Sequence, residues 1–131
     1  MFIDIHENKI GDILIETAVY IHKKLGPGLL ENVYEVILMK LLAKKGLSVQ
    51  RQVSVPLEFE GEYFTEGFRA DLFIEGKVIV ELKSVERIAL VHKKQLLTYL
   101  KLTNTKVGYI LNFGECFMKD GISRVINGYL T

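Results

Sequence analysis

Three polar residues in the run 68–84, FRADLFIEGKVIVELKS, have types and spacing that could do chemistry: Asp71, Glu81 and Lys83. Suppose residues 75–77 form the loop of a hairpin, so that Ile74 faces Val78. Asp71 then lies opposite Glu81, Phe73 opposite Ile79 and Arg69 opposite Lys83, all on one face. Ala70, Leu72 and Ile74 meet Leu82, Val80 and Val78 on the other face, which is wholly apolar and would pack on a helix. A two-residue loop would turn Glu81 in among those apolar residues, because a one-residue slip reverses every side chain. The odd-length loop is therefore expected. Two carboxylates facing each other destabilise a strand pair, and a divalent cation between them would remove that conflict. Asp and Glu oxygens are hard ligands that suit Mg²⁺ or Mn²⁺. Lys83 projects from the same face as Glu81, where an ammonium can orient a water or offset charge on a phosphate. Such a set suits metal-assisted phosphodiester cleavage. The same residues, with Arg69, could equally close into a surface salt-bridge cluster, and the residues alone leave both readings open.

The elements that must position this face follow from periodicity. Ile10, Ile13, Leu14, Val19, Ile21 and Leu25 keep roughly helical spacing over 10–25, and Gly26-Pro27-Gly28 ends that helix. A second helix is expected over 29–45, with Leu30, Val33, Tyr34, Ile37, Leu38, Leu41 and Leu42 as its apolar stripe and Gly46 as its stop. The period then becomes two. Leu47 to Phe59 reads as a half-buried strand, and Pro56 argues for an edge or a bulge. Strands at 63–74 and 78–84, a helix at 92–102 and a strand at 106–112 follow. A last helix is expected over 121–130, with Ile122, Val125, Ile126 and Tyr129 on one face. The order is α, then αβββαβ, then α, which makes an α+β domain with a mixed sheet flanked by helices and extra N- and C-terminal helices.

Length and composition bound the rest. A chain of 131 residues fits one domain, 1–131, and 49% apolar residues supply a core. No apolar run is long enough to span a bilayer. The first ten residues carry acids where a leader needs a basic and then an apolar region, so a cytoplasmic location and no membrane partner are expected. Cys116 is the one cysteine, too few for an internal disulfide or a zinc site by itself. The net charge of +1 does not announce nucleic acid, but its distribution is uneven. Acids outnumber bases six to one over 54–75, whereas 77–106 holds seven Lys and Arg residues against Glu81 and Glu86. That basic half could track phosphates or form an ordinary solvated helix face.

Asp71 followed ten residues on by Glu81-Leu82-Lys83 resembles the PD-(D/E)xK nuclease superfamily, whose core has the order αβββαβ. Gly28-Leu29-Leu30-Glu31-Asn32-Val33-Tyr34 resembles the G-x-x-E-x-x-Y signature of the small GxxExxY proteins of that superfamily. The segments HKKLGPGLLENVYE, FRADL, VIVELKSVE and QLLTYLKLT extend the likeness from about His22 to Ile126. Ala70 stands where the superfamily's name has proline, a position the metal chemistry does not require.

The resemblance implies a restriction-endonuclease-like core and a metal-dependent nuclease. Such an enzyme hydrolyses phosphodiester bonds of nucleic acid, DNA first, by metal-activated water. It makes Asp71 and Glu81 metal ligands for Mg²⁺ or Mn²⁺, Lys83 the catalytic lysine and Glu31 a further ligand, direct or through water. A first-turn acid such as Glu31 also suits the helix dipole. Tyr34 either faces Glu31's neighbourhood at i+3 or is a core aromatic. Gln95 and Tyr99 match a Q-x-x-x-Y element of RecB-like nucleases, and His92 joins them on one helix face. These three are expected to line the site or touch nucleic acid, unless they are only the polar flank of an amphipathic helix. His22 could approach the site or sit half-buried in its helix. The competing readings are a nucleic-acid-binding module without catalysis, held by Lys93, Lys94 and Lys101, and a protein-interaction subunit. A homodimer, which many small nucleases use to cut two strands, remains compatible with the sequence.

Overall fold

The computed structural model describes residues 2–130, apart from the side chain of Glu66. Helix α1 (Glu7–Leu25) begins where the His6 ring nitrogen Nδ1 accepts the Asn8 N–H at 3.0 Å. It ends at Gly26, whose φ of 71° breaks the helix and whose N–H still reaches the His22 carbonyl. Helix α2 (Glu31–Lys44) follows a short turn pinned by Tyr34. The Tyr34 hydroxyl donates to the Gly26 carbonyl at 2.5 Å and accepts the Leu29 N–H at 3.1 Å.

Strands β1 (Val49–Phe59), β2 (Glu62–Ile74), β3 (Val78–Lys83), β4 (Val107–Asn112) and β5 (Ile122–Ile126) form one sheet in that order. Only β3 and β4 are parallel, joined by α3 (Leu90–Leu102) as the crossover that parallel strands require. The α+β architecture with a mixed sheet therefore matches the expectation. β3 and β4 are the buried centre, as their near-continuous apolar runs demand. Val78, Val80, Leu82, Val107, Tyr109 and Leu111 pack with α1 and α2, while Ile79 and Ile110 pack with α3. Each fully buried Leu or Ile contributes about 1.5–3 kcal/mol.

The C-terminal helix expected over 121–130 is absent. Residues 122–126 form β5, antiparallel to β4 from Leu111↔Ile122 to Val107↔Ile126. Three of those five residues are β-branched aliphatics, which favour strand. The open edge of β4 offers backbone partners that a helix would leave unpaired. Tyr129, assigned to the apolar face of that helix, is 88% exposed.

The hairpin has the expected three-residue loop. Its register is Ile74↔Val78, Phe73↔Ile79 and Leu72↔Val80. Glu75 (φ 52°) and Gly76 (φ 62°) make the turn, and the Lys77 N–H closes it on the Ile74 carbonyl. Glu75 is buried, and both carboxylate oxygens are used: Oε1 by the Ile3 N–H at 2.6 Å, Oε2 by the Ser48 N–H at 2.5 Å.

One part of the alternation fails. Leu72 and Ile74 join the α1–α2 core, but Phe68 and Ala70 join the α3 cluster. The cause lies across the sheet. The β1–β2 ladder runs from Val49↔Ile74 to Arg51↔Leu72, passes over Gln52 and Asp71, and resumes at Val53↔Ala70. Gln52 has φ 54°, and a left-handed residue disrupts the two-residue alternation of a strand. β1 is also an edge strand whose register shifts between Val55 and Leu57, around Pro56.

Candidate active site

β2 and β3 stop pairing after Leu72↔Val80. Beyond that point the Asp71 side chain takes over, its Oδ2 accepting the Leu82 N–H at 2.8 Å. The strands part, and a polar cleft of about 240 Å³ opens between them, α3 and the N-terminus of α2. Asp71, Glu81 and Lys83 line it together. Glu81 and Lys83 stay rigid because their strand continues to pair with β4 through Lys83↔Asn112.

The loops behind this strand end are locked. The buried Asn112 side chain accepts the N–H groups of Val85 (3.0 Å) and Gly114 (3.1 Å) and donates to the Val85 carbonyl (2.9 Å). A Cβ on Gly114 would lie 2.3 Å from that carbonyl, so only glycine allows the approach.

The electrostatics of the cleft are unbalanced. Burial, then the Asp71 charge and hydrogen bonding to it, push the Glu81 carboxyl up to about 9; Lys83 opposes this and Glu35 adds to it. Glu81 Oε1 is buried without a hydrogen-bond partner among the described residues. Burial and the charges of Glu81 and Asp71 also push the Tyr99 hydroxyl up. The salt-bridge cluster allowed by the sequence does not form. The ion pairs among the described residues are Arg51–Glu35 and Lys77–Asp4, so Lys83 and Arg69 stand beside the two acids without closing on them.

Glu31, the first residue of α2, lines the cleft, as do His92, Gln95 and Tyr99 from α3. Among the described residues no three His, Cys, Asp or Glu side chains already stand close enough to hold an ion together. His92 Nδ1 accepts the Ala89 N–H at 3.1 Å, which leaves a neutral ring's proton on Nε2. Tyr99 stacks on Phe68 with centroids 3.7 Å apart and so forms a flat wall.

Other expected residues lie elsewhere. Tyr34 is fully buried, stacked on Phe113 at 4.3 Å, and does not line the cleft. Its hydroxyl instead fixes the turn that presents Glu31. Lys93 is exposed and outside the lining. His22 is buried against a separate cavity of about 520 Å³, its Nε2 bonded to the Glu115 carbonyl at 2.8 Å.

Sequence reasoning missed Glu35 and Gln52, whereas Arg69, expected on the face of Asp71, Glu81 and Lys83, does line the cleft with them. Glu35 is four residues after Glu31, a spacing that puts both on one face of α2. It is 3% exposed, with Oε2 paired to Arg51 and Oε1 accepting from Gln52 Nε2 at 2.7 Å. No signal in the sequence marks the left-handed backbone of Gln52.

No curated protein matches the chain by sequence. Among solved structures, one described as "Crystal structure of SSO0001" is similar with a TM-score of 0.50 and 18% identity, over 93% of this chain and 79% of that one. That likeness concerns the fold. A family model, the PD-(D/E)XK nuclease superfamily, matches residues 8–125. Since the match takes in almost the whole chain, including both strands that bear Asp71, Glu81 and Lys83, the chain belongs to the PD-(D/E)XK nuclease superfamily.

Proposed function

We propose that the protein is a Mg²⁺- or Mn²⁺-dependent nuclease that hydrolyses phosphodiester bonds, with DNA as its first substrate. Within the superfamily we assign it to the GxxExxY proteins, on Gly28, Glu31 and Tyr34. The observation that carries the reading is the Asp71–Glu81 pair. Among the described residues, two adjacent acids share one cleft without an ion pair, and a buried Glu81 oxygen is left unpartnered. A buried carboxylate in that state is costly, and a divalent cation would satisfy it. Asp71 and Glu81 would hold the ion, with Glu31 reached directly or through water. When bound, such an ion lowers the pKa of a water and draws charge from a phosphate oxygen.

The remaining groups act on the substrate. The Lys83 ammonium, which lines the cleft beside the acids, steadies negative charge growing on the phosphate. His92 Nε2–H and the Gln95 amide offer neutral donors to phosphate oxygens. Tyr99, backed by the buried Phe68, gives a flat wall against which a sugar or base can lie. Arg69, exposed at the rim, adds positive charge for the flanking backbone.

The test is cleavage of single-stranded, double-stranded and branched DNA, and of RNA, with Mg²⁺ or Mn²⁺ and with chelator. Cleavage is expected only with metal. Lys83→Ala is expected to cost about 10²–10³ in rate, and Asp71→Ala and Glu81→Ala to abolish turnover. Salt-sensitive binding without cleavage on any substrate, unaffected by Asp71→Ala and lost on removing Lys93, Lys94 and Lys101, would instead make the protein a binding module.

A further inference from the structure

We propose that Gln52 and Glu35 are positioning residues that hold the Asp71 carboxylate in its cation-binding orientation; this deepens the nuclease reading and rests on it. Asp71 is held from both neighbouring strands. On the β3 side the Leu82 N–H donates to Oδ2 at 2.8 Å. On the β1 side Gln52 Nε2 lies 3.5 Å from Oδ1 and 2.7 Å from Glu35 Oε1. One amide nitrogen has two protons, so it can serve both carboxylates at once. With an anchor on each oxygen, the plane of the Asp71 carboxylate is set before any ligand arrives.

Glu35 supplies the far anchor rather than a ligand. It is almost fully buried, and both of its oxygens are occupied, Oε1 by Gln52 and Oε2 by Arg51. Arg51 and Gln52 are consecutive, and neighbours on a regular strand point to opposite faces. They reach the same carboxylate where Gln52 adopts φ 54°. That backbone is disfavoured for a non-glycine residue. Glycine would avoid the cost but supplies no amide to bridge the two acids. A glutamine at this position is therefore explained by its side chain, not by its backbone.

The experiment separates backbone from side chain. Mn²⁺ affinity is measured from the free-ion electron paramagnetic resonance signal, and metal-free thermal unfolding is followed in parallel. The proteins are wild type, Gln52→Gly, Gln52→Asn and Asp71→Asn. Gln52→Gly should melt close to wild type, since relief of the left-handed backbone offsets the hydrogen bond lost from buried Glu35. It should nevertheless bind Mn²⁺ about tenfold more weakly, as expected when a residue supporting a ligand is lost. Gln52→Asn, which also tolerates that backbone but is too short to bridge, should weaken Mn²⁺ to a similar degree with a small fall in melting temperature, since the Glu35 hydrogen bond is lost. Wild-type affinity in both Gln52 variants, with binding lost in Asp71→Asn, overturns the positioning role and leaves the metal site standing. Weaker binding accompanied by lower melting in both variants makes the contact structural and also overturns it. A wild-type protein that binds no Mn²⁺ overturns this proposal and the nuclease reading together.

Discussion

The β2–β3 hairpin carries an acid at each end, Glu75 buried and Glu81 half-buried, and the two are treated in opposite ways. At the turn, Glu75 is 1% exposed, and its two oxygens accept backbone N–H groups from Ile3 and Ser48. At the open end, Glu81 faces a second acid, keeps one oxygen unpartnered and has its carboxyl pushed up to about 9. Backbone donors stabilise an ionised carboxylate and need no ligand. A desolvated carboxylate beside another acid destabilises the protein until a proton or a cation arrives. The turn end therefore reads as architecture, and the open end is where we propose the site.

The comparison can be broken in several ways. Glu75→Ala should lower stability by about 2–4 kcal/mol, because two charge-assisted bonds are lost and the buried donors are stranded. Denaturant unfolding measures this, and Mn²⁺ affinity of the remaining folded protein should stay at the wild-type value. Glu81→Gln should do the reverse, stabilising the metal-free protein at pH 8 while Mn²⁺ binding falls. Destabilisation by Glu81→Gln would show that the open end is architecture too.

The pH dependence sharpens the same contrast. Glu81 has a folded value of about 9 against an ordinary 4.5, so the folded state holds this proton more tightly. Its contribution to stability is complete below about 4.5 and falls as the pH rises toward about 9. Metal-free melting temperatures should show that decline, and both Mn²⁺ and Glu81→Gln should flatten it. The smallest effect belongs to Lys93→Ala. This exposed residue outside the cleft should leave metal binding unchanged and reduce the salt dependence of nucleic-acid binding by a log–log slope of about one at most.

The sequence was most readable where one face had to be apolar. The side-chain argument at residues 74–78 gave the observed hairpin register, and the stripe on α2 gave that helix to within two residues of its start. Asp71, Glu81 and Lys83 share a cleft as expected, along with Glu31, His92, Gln95 and Tyr99. The misreadings have physical causes. Ile122, Val125 and Ile126 have helical spacing, but five residues are too few to separate the periods, and the vacant edge of β4 decides the matter. Ala70 left its expected face because a left-handed Gln52 changes the sheet locally, and glutamine gives no warning of positive φ. Glu35 looked like one more polar position on α2, yet Arg51 and Gln52 make its burial tolerable.

The Asn112 amide has a consequence for anyone moving this site between proteins. It binds both the loop that leaves Glu81 and Lys83 and the loop that leaves β4. The smallest transplantable unit is therefore two strands with their exits, not the hairpin that displays the acids. A graft of residues 68–84 alone would end before Val85 and lose the two hydrogen bonds by which Asn112 ties that exit to β4. A graft extended through Gly114 would carry its own brace.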